Sequence, residues 1–170
     1  MPGKIVVIAV ITAMLIVGLA FGCAVSKSPA PPEPAGRPSP AIDVAVVVAG
    51  LDTPWAVEFA PDGRIFITER PGRVRIVKDG HLLEEPWFTI DIARGGESGL
   101  LGLALDPRFE QNGFVYLAYT YRDPDGNLEN RLVRLRDDPS ADKGELDIVL
   151  VDGVVGASNH DGGRVRFGSD

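Results

Sequence analysis

Trp55-Ala56-Val57-Glu58-Phe59-Ala60-Pro61-Asp62-Gly63 runs directly into Arg64-Ile65-Phe66-Ile67-Thr68-Glu69. A short apolar segment meets a Pro-Asp-Gly turn and then a segment of β-branched and aromatic residues, which is the composition of a hairpin. The same plan recurs twice. Leu101-Gly102-Leu103-Ala104-Leu105-Asp106-Pro107 leads across a longer turn into Gly113-Phe114-Val115-Tyr116-Leu117-Ala118. Arg164-Val165-Arg166-Phe167-Gly168-Ser169-Asp170 opens a third copy without its return strand. The spacing is close to that of a propeller blade, about 40–50 residues for four short strands and their turns. From Ala41 onward apolar residues recur at period two or in short blocks, so no amphipathic helix is expected.

Strands are expected at Asp43–Val48, Ala56–Phe59, Ile65–Glu69, Arg73–Lys78, Phe88–Ile92, Leu100–Leu105, Phe114–Tyr121, Arg131–Arg136 and Ile148–Val151, with Val165–Phe167 cut short. Turns fall at Pro61-Asp62-Gly63, Asp79-Gly80, Asp123-Pro124-Asp125-Gly126 and Asp137-Asp138-Pro139. Regular short strands with these breakers indicate an all-β sandwich, barrel or propeller, and the internal repeat favours the propeller.

The chain has 170 residues, a formal net charge of −7 and a pI near 4.8. Nucleic-acid binding needs clustered Lys and Arg to displace counterions, so this balance argues against it. Residues 1–23 read as an export leader: Lys4 gives a basic start, and Ile5 to Gly22 is apolar or small up to Cys23, the one cysteine. A small residue before a lone Cys at the end of such a run resembles a bacterial lipoprotein signal, with Cys23 as the lipidated residue. An uncleaved anchor helix is the alternative, and eighteen residues lie at the lower edge of bilayer-spanning length. Both readings put the folded part in the periplasm or otherwise outside the cytoplasmic membrane, held to it by the N-terminus. Residues 24–40 form a linker whose Ser26–Pro40 stretch is rich in proline, a semi-rigid tether. The folded domain is then 41–170. One cysteine leaves neither a disulfide framework nor a thiolate metal site.

Three ordered segments carry a family resemblance. Gly50-Leu51-Asp52-Thr53-Pro54-Trp55, with Ala60-Pro61-Asp62-Gly63 and Ile67-Thr68-Glu69-Arg70, resembles the opening of the glucose/sorbosone dehydrogenase family, the soluble aldose sugar dehydrogenases that depend on pyrroloquinoline quinone (PQQ). Gly96-Glu97-Ser98-Gly99-Leu100-Leu101-Gly102-Leu103-Ala104, continued by Asp106-Pro107-Arg108-Phe109, is similar to a second family segment. Asn159-His160-Asp161-Gly162-Gly163-Arg164 resembles the third. The resemblance implies a six-bladed β-propeller with about its first two blades here. The chain is then an N-terminal piece, expected to be inactive and poorly folded by itself.

By that resemblance His160 is the catalytic base, and a neutral imidazole with a reference pKa near 6.5 suits proton removal from a sugar hydroxyl. Read without it, His160 is a turn histidine. Glu97 lies where the family places a polar residue on the sugar; a carboxylate accepts from hydroxyls but cannot donate. Read alone, it is a solvated loop acid. Asn159 and Asp161 could tune or orient the imidazole, but side-chain capping of their turn explains both more cheaply. His81 reads as a solvated hairpin tip, Arg70 and Arg73 as solvated, and Trp55 and Trp87 as packed between strands. The resemblance also implies PQQ, whose three carboxylates need cations, and Ca²⁺ on oxygen ligands, both held mostly by later blades. No cofactor or metal ligand is assigned within this chain, and Asp123-Pro124-Asp125-Gly126-Asn127 reads as a turn. An aldose substrate and an external electron acceptor are the implied partners. A non-catalytic propeller used for binding is the alternative, since the fold hosts both.

Overall fold

Residues 44–169 are described by the computed structural model. The leader with Cys23 and the proline-rich linker lie outside the described residues. Strands β1 (Pro54–Phe59), β2 (Ile65–Glu69), β3 (Arg73–Lys78) and β4 (His81–Leu82) follow one another antiparallel. Strand β5 (Phe88–Thr89) also pairs with β3, at its other end. Together β4 and β5 make an interrupted outer strand, tied to β3 between them by Leu83 N–H to Ile76 O (2.9 Å) and Trp87 N–H to Val74 O (2.9 Å). The second sheet is β6 (Leu100–Leu105), β7 (Phe114–Arg122), β8 (Leu128–Asp138) and β9 (Lys143–Val155), in simple sequential order. A single helical turn, α1 (Phe109–Asn112), joins β6 to β7. These are two consecutive four-strand blades of a β-propeller, all-β as expected.

Each turn has a local cause. In Pro61-Asp62-Gly63, Gly63 takes φ +89°, and the Asp62 carboxylate accepts the Arg64 N–H at 3.0 Å. Strand β6 is apolar along its length and almost wholly buried, as a strand covered on both faces must be. The blades share one core: Phe66 of β2 meets Trp87 edge-on at 5.3 Å and Phe109 of α1 at 5.7 Å. Leu100, Leu103, Val115, Leu117, Val133 and Leu135 continue it through the second blade.

A buried ion pair fastens the blades at one end. Arg64 and Asp137 are 6% and 3% exposed, and their groups meet at 2.5 Å. The same carboxylate accepts the Trp87 indole N–H at 2.8 Å. Burial opposes the charge on Arg64, but the hydrogen bonds it donates to Asp137 and Asp62 outweigh it and raise the guanidinium's pKa.

Several expected strands differ. No ladder forms over residues 44–49; Val44 and Val46 are exposed and have no neighbouring strand to complete the alternation. The strand expected at Phe88–Ile92 stops at Thr89, while those expected at Arg131–Arg136 and Ile148–Val151 lengthen into β8 and β9. Ion pairs across the sheet, Arg131 with Asp152 at 2.8 Å and Arg134 with Asp147 at 2.6 Å, let their polar flanks remain in the ladder. Val165–Phe167 makes no ladder: Arg166 instead reaches across to Glu58 and, at 3.3 Å, to the Leu103 carbonyl.

Replacing Asp137 with alanine would leave the Trp87 indole N–H without its acceptor and the buried Arg64 guanidinium with only Asp62 and the more distant Asp142. Chemical denaturation is expected to show a loss of about 3–5 kcal/mol, the usual result of breaking one side of a buried pair. A second expectation concerns acid. Hydrogen bonds from Arg131 and then Tyr121 pull the Asp152 carboxyl down to about 2. Its folded value is depressed, so its stabilisation is present above the ordinary carboxylate pKa of about 4 and fades as pH falls toward about 2. Asp152→Asn should flatten that part of the acid-unfolding profile.

Candidate active site

Four loop segments meet at one end of the two blades, joined by backbone hydrogen bonds. Arg70 N–H donates to Thr53 O (3.1 Å), Leu100 N–H to Arg70 O (3.0 Å), and Glu97 N–H to Ser158 O (2.8 Å). The segment before β1, the β2–β3 turn, the loop entering β6 and the loop leaving β9 are therefore one surface. Close backbone approach requires two of its glycines. A Cβ on Gly96 would lie 1.8 Å from Ser158 O, and one on Gly102 would lie 1.8 Å from Gly163 O.

His160 stands on this surface, exposed, with φ +65°. The left-handed region costs a non-glycine residue roughly 1–2 kcal/mol, so something must hold it there. Glu97 does: its Oε2 accepts the His160 backbone N–H at 2.7 Å. They stand 63 positions apart in the sequence, and the fold brings them together. The contact is to the backbone, leaving the imidazole to the surface. Oε1 of Glu97 has no hydrogen-bond partner among the described residues.

Asp161 grips the same loop from below. Its Oδ1 accepts the Ala157 N–H at 3.0 Å, the turn-capping bond expected of it. Its Oδ2 lies 2.8 Å from the Ser98 hydroxyl, whose single proton can also reach Ala157 O at 3.0 Å. Asn130 Nδ2 lies 3.4 Å from Asp161 Oδ1, and Thr120 donates to Asn130 Oδ1 at 2.7 Å. Ser98, Asn130 and Thr120 went unnoticed in the sequence. Nothing local marks them, because their partners lie on other elements.

The remaining candidates divide. Trp87 is buried and His81 exposed, as expected. Trp55 is not packed away: it is 50% exposed, and the Arg70 guanidinium stands 5.7 Å over its ring. Nor is Arg70 simply solvated, since its Nη2 donates to the carbonyls of Gly96 at 2.5 Å and Ser98 at 2.9 Å. Arg73 likewise pairs with buried Glu69 at 2.6 Å and with Asp52 at 3.1 Å. Both arginines sit beside acceptors that the folded chain would otherwise leave bare. Asp123 to Asn127 closes as a turn, with Gly126 N–H on Asp123 O at 3.0 Å.

A cleft of about 570 Å³ opens between β1, β6 and the chain leaving the His160 loop, lined by Trp55, Val57, Gly102, Leu103, Gly162 and Arg164. That volume is ordinary for a small-molecule site. His160 and Glu97 lie outside its lining. Among the described residues no three His, Cys, Asp or Glu side chains gather as metal ligands would.

Comparison with known proteins identifies the family. The family model for glucose/sorbosone dehydrogenase matches residues 51–170. The chain is 32% identical over 130 residues to the aldose sugar dehydrogenase YliI of Escherichia coli, covering 74% of this chain and 35% of that one. It is 28% identical over 172 residues to quinoprotein glucose dehydrogenase B of Acinetobacter calcoaceticus, covering 96% and 36% respectively. The fold superposes with TM-score 0.65 on the PQQ-bound aldose sugar dehydrogenase of Streptomyces coelicolor, at 26% identity over 74% of this chain and 38% of that one. The chain thus spans about a third of the length of the relatives it matches. Two adjoining blades, a histidine loop strapped between them and a family match across nearly all the described residues lead to one assignment: this chain belongs to the glucose/sorbosone dehydrogenase family.

Proposed function

We propose that this protein oxidises an aldose at its anomeric carbon to the lactone, with PQQ as the oxidant and His160 as the general base. The observation that carries the reading is the exposed histidine held in a left-handed turn by a carboxylate from the neighbouring loop. The names of its relatives supply the substrate class and the quinone.

His160 acts on the hydroxyl. Its neutral ring accepts the anomeric O–H proton as the C–H bond breaks and the C=O of the lactone forms. When bound, the ortho-quinone takes up the departing hydride. Glu97 keeps Oε1 for a hydroxyl of the same sugar. It can accept from that hydroxyl but not donate to it, which biases the site toward a sugar that offers a proton there.

The two arginines that line the cleft, Arg164 and Arg166, are too few for three carboxylates, and Arg166 is already paired with Glu58. Arg70 is committed to the Gly96 and Ser98 carbonyls, and Arg131 to Asp152. In this reading the cations for PQQ, and the oxygen ligands for calcium, belong to parts of the family fold outside the matched third. An external acceptor takes the electrons onward. The N-terminal leader places the enzyme outside the cytoplasmic membrane, tethered through a lipid on Cys23 and the proline-rich linker.

Aldose-dependent dye reduction by the whole, PQQ-loaded protein tests the base directly. His160→Ala is expected to cut kcat by about 10²–10⁴, the range for losing a general base. A near wild-type rate in that variant would refute the assignment.

A further inference from the structure

We infer that Asp161 is a positioning residue for His160, tying the base to the floor of the second blade. The inference rests on the reading of His160 as the base.

Turn capping alone accounts for one of its bonds, the one to Ala157 N–H. The others leave the turn. Ser98, which is buried, comes from the loop entering β6, and Asn130 comes from β8. Asn130 is in turn fixed by the hydroxyl of buried Thr120 on β7. Asp161 is therefore the joint between the His160 loop and three elements of the blade, adjacent in sequence to a residue whose backbone is strained. Strain persists only where the surroundings over-determine it, and here the determinants are two carboxylates: Glu97 on the His160 amide and Asp161 beneath the loop. With both in place the ring leaves the backbone in one direction. Without Asp161, residues 157–163 keep the Glu97 strap but lose their floor, and His160 can relax out of the left-handed conformation. Its imidazole would then miss the hydroxyl it serves.

Asp161 touches neither sugar nor quinone in this account, so its loss should appear in kcat and not in binding. In the whole, PQQ-loaded protein, Asp161→Ala is expected to lower kcat about ten- to hundredfold, with KM for the aldose within about threefold of wild type. The cofactor-free variant should keep a thermal midpoint within about 4 °C of wild type, since one exposed loop is affected. Asp161→Asn retains an oxygen for Ala157 and a partner for Ser98, and should recover kcat to within about threefold. If Asp161→Ala does not fold, Ser98→Ala takes its place, with an expected loss in kcat of about three- to tenfold. Wild-type kcat in the truncated variant, a loss confined to KM, or an asparagine variant as impaired as the alanine one would overturn the inference. His160→Ala is assayed alongside. An inactive His160→Ala beside a fully active Asp161→Ala removes the positioning role alone, whereas an active His160→Ala removes both readings.

Discussion

A guanidinium buried between two sheets organises this molecule. Arg64 belongs to the first blade's opening turn and Asp137 to the end of β8 in the second, and the pair is the most buried of the contacts that hold the guanidinium, with Asp62 and Asp142 at its margin. Trp87 closes the arrangement by donating its indole N–H to the same carboxylate. Once that end is fixed, Phe66, Trp87 and Phe109 can stack edge to face, and the sheets pack with β1 beside β6. The opposite ends of the strands then have no freedom to diverge. Their loops are forced together, and the surface bearing His160 follows from this.

That surface is built from hydrogen bonds rather than apolar packing. Its loops are short of hydrophobic residues, and its order comes from carbonyls and amides meeting side chains: Arg70 on two carbonyls, Glu97 on one amide, Asp161 on an amide and a hydroxyl. Such groups are costly to leave unpaired where water is partly excluded, so each becomes a restraint on its neighbours. That stiffness fixes the direction in which residue 160 leaves the backbone.

The sequence revealed what is periodic or locally coded. The first two copies of the hairpin repeat, the Pro-Asp-Gly turn and the apolar run of β6 all express short-range rules, and their strands are where they were expected, whereas the third copy at Val165–Phe167 makes no ladder. His160 and Glu97 were found through motif resemblance, and the fold brings them into contact. What stayed hidden was long-range. The lengths of β8 and β9 depend on ion pairs such as Arg131–Asp152, which no window of a few residues contains. The alternating valines at 44 to 48 looked like a strand but lacked an edge to pair with. Trp55 and Arg70 were misjudged for the same reason: exposure and acceptor supply are set by the loop of Gly96 and Ser98, more than twenty residues away.

Gly102 and Gly163 cross with one backbone lying almost on the other. A position in the middle of an inner strand is thereby coupled to the loop that carries His160. Even a methyl group at residue 102 must lift the segment that follows His160. An innocuous-looking residue in a hydrophobic strand thus sets how freely the loops at that end of the two blades can diversify.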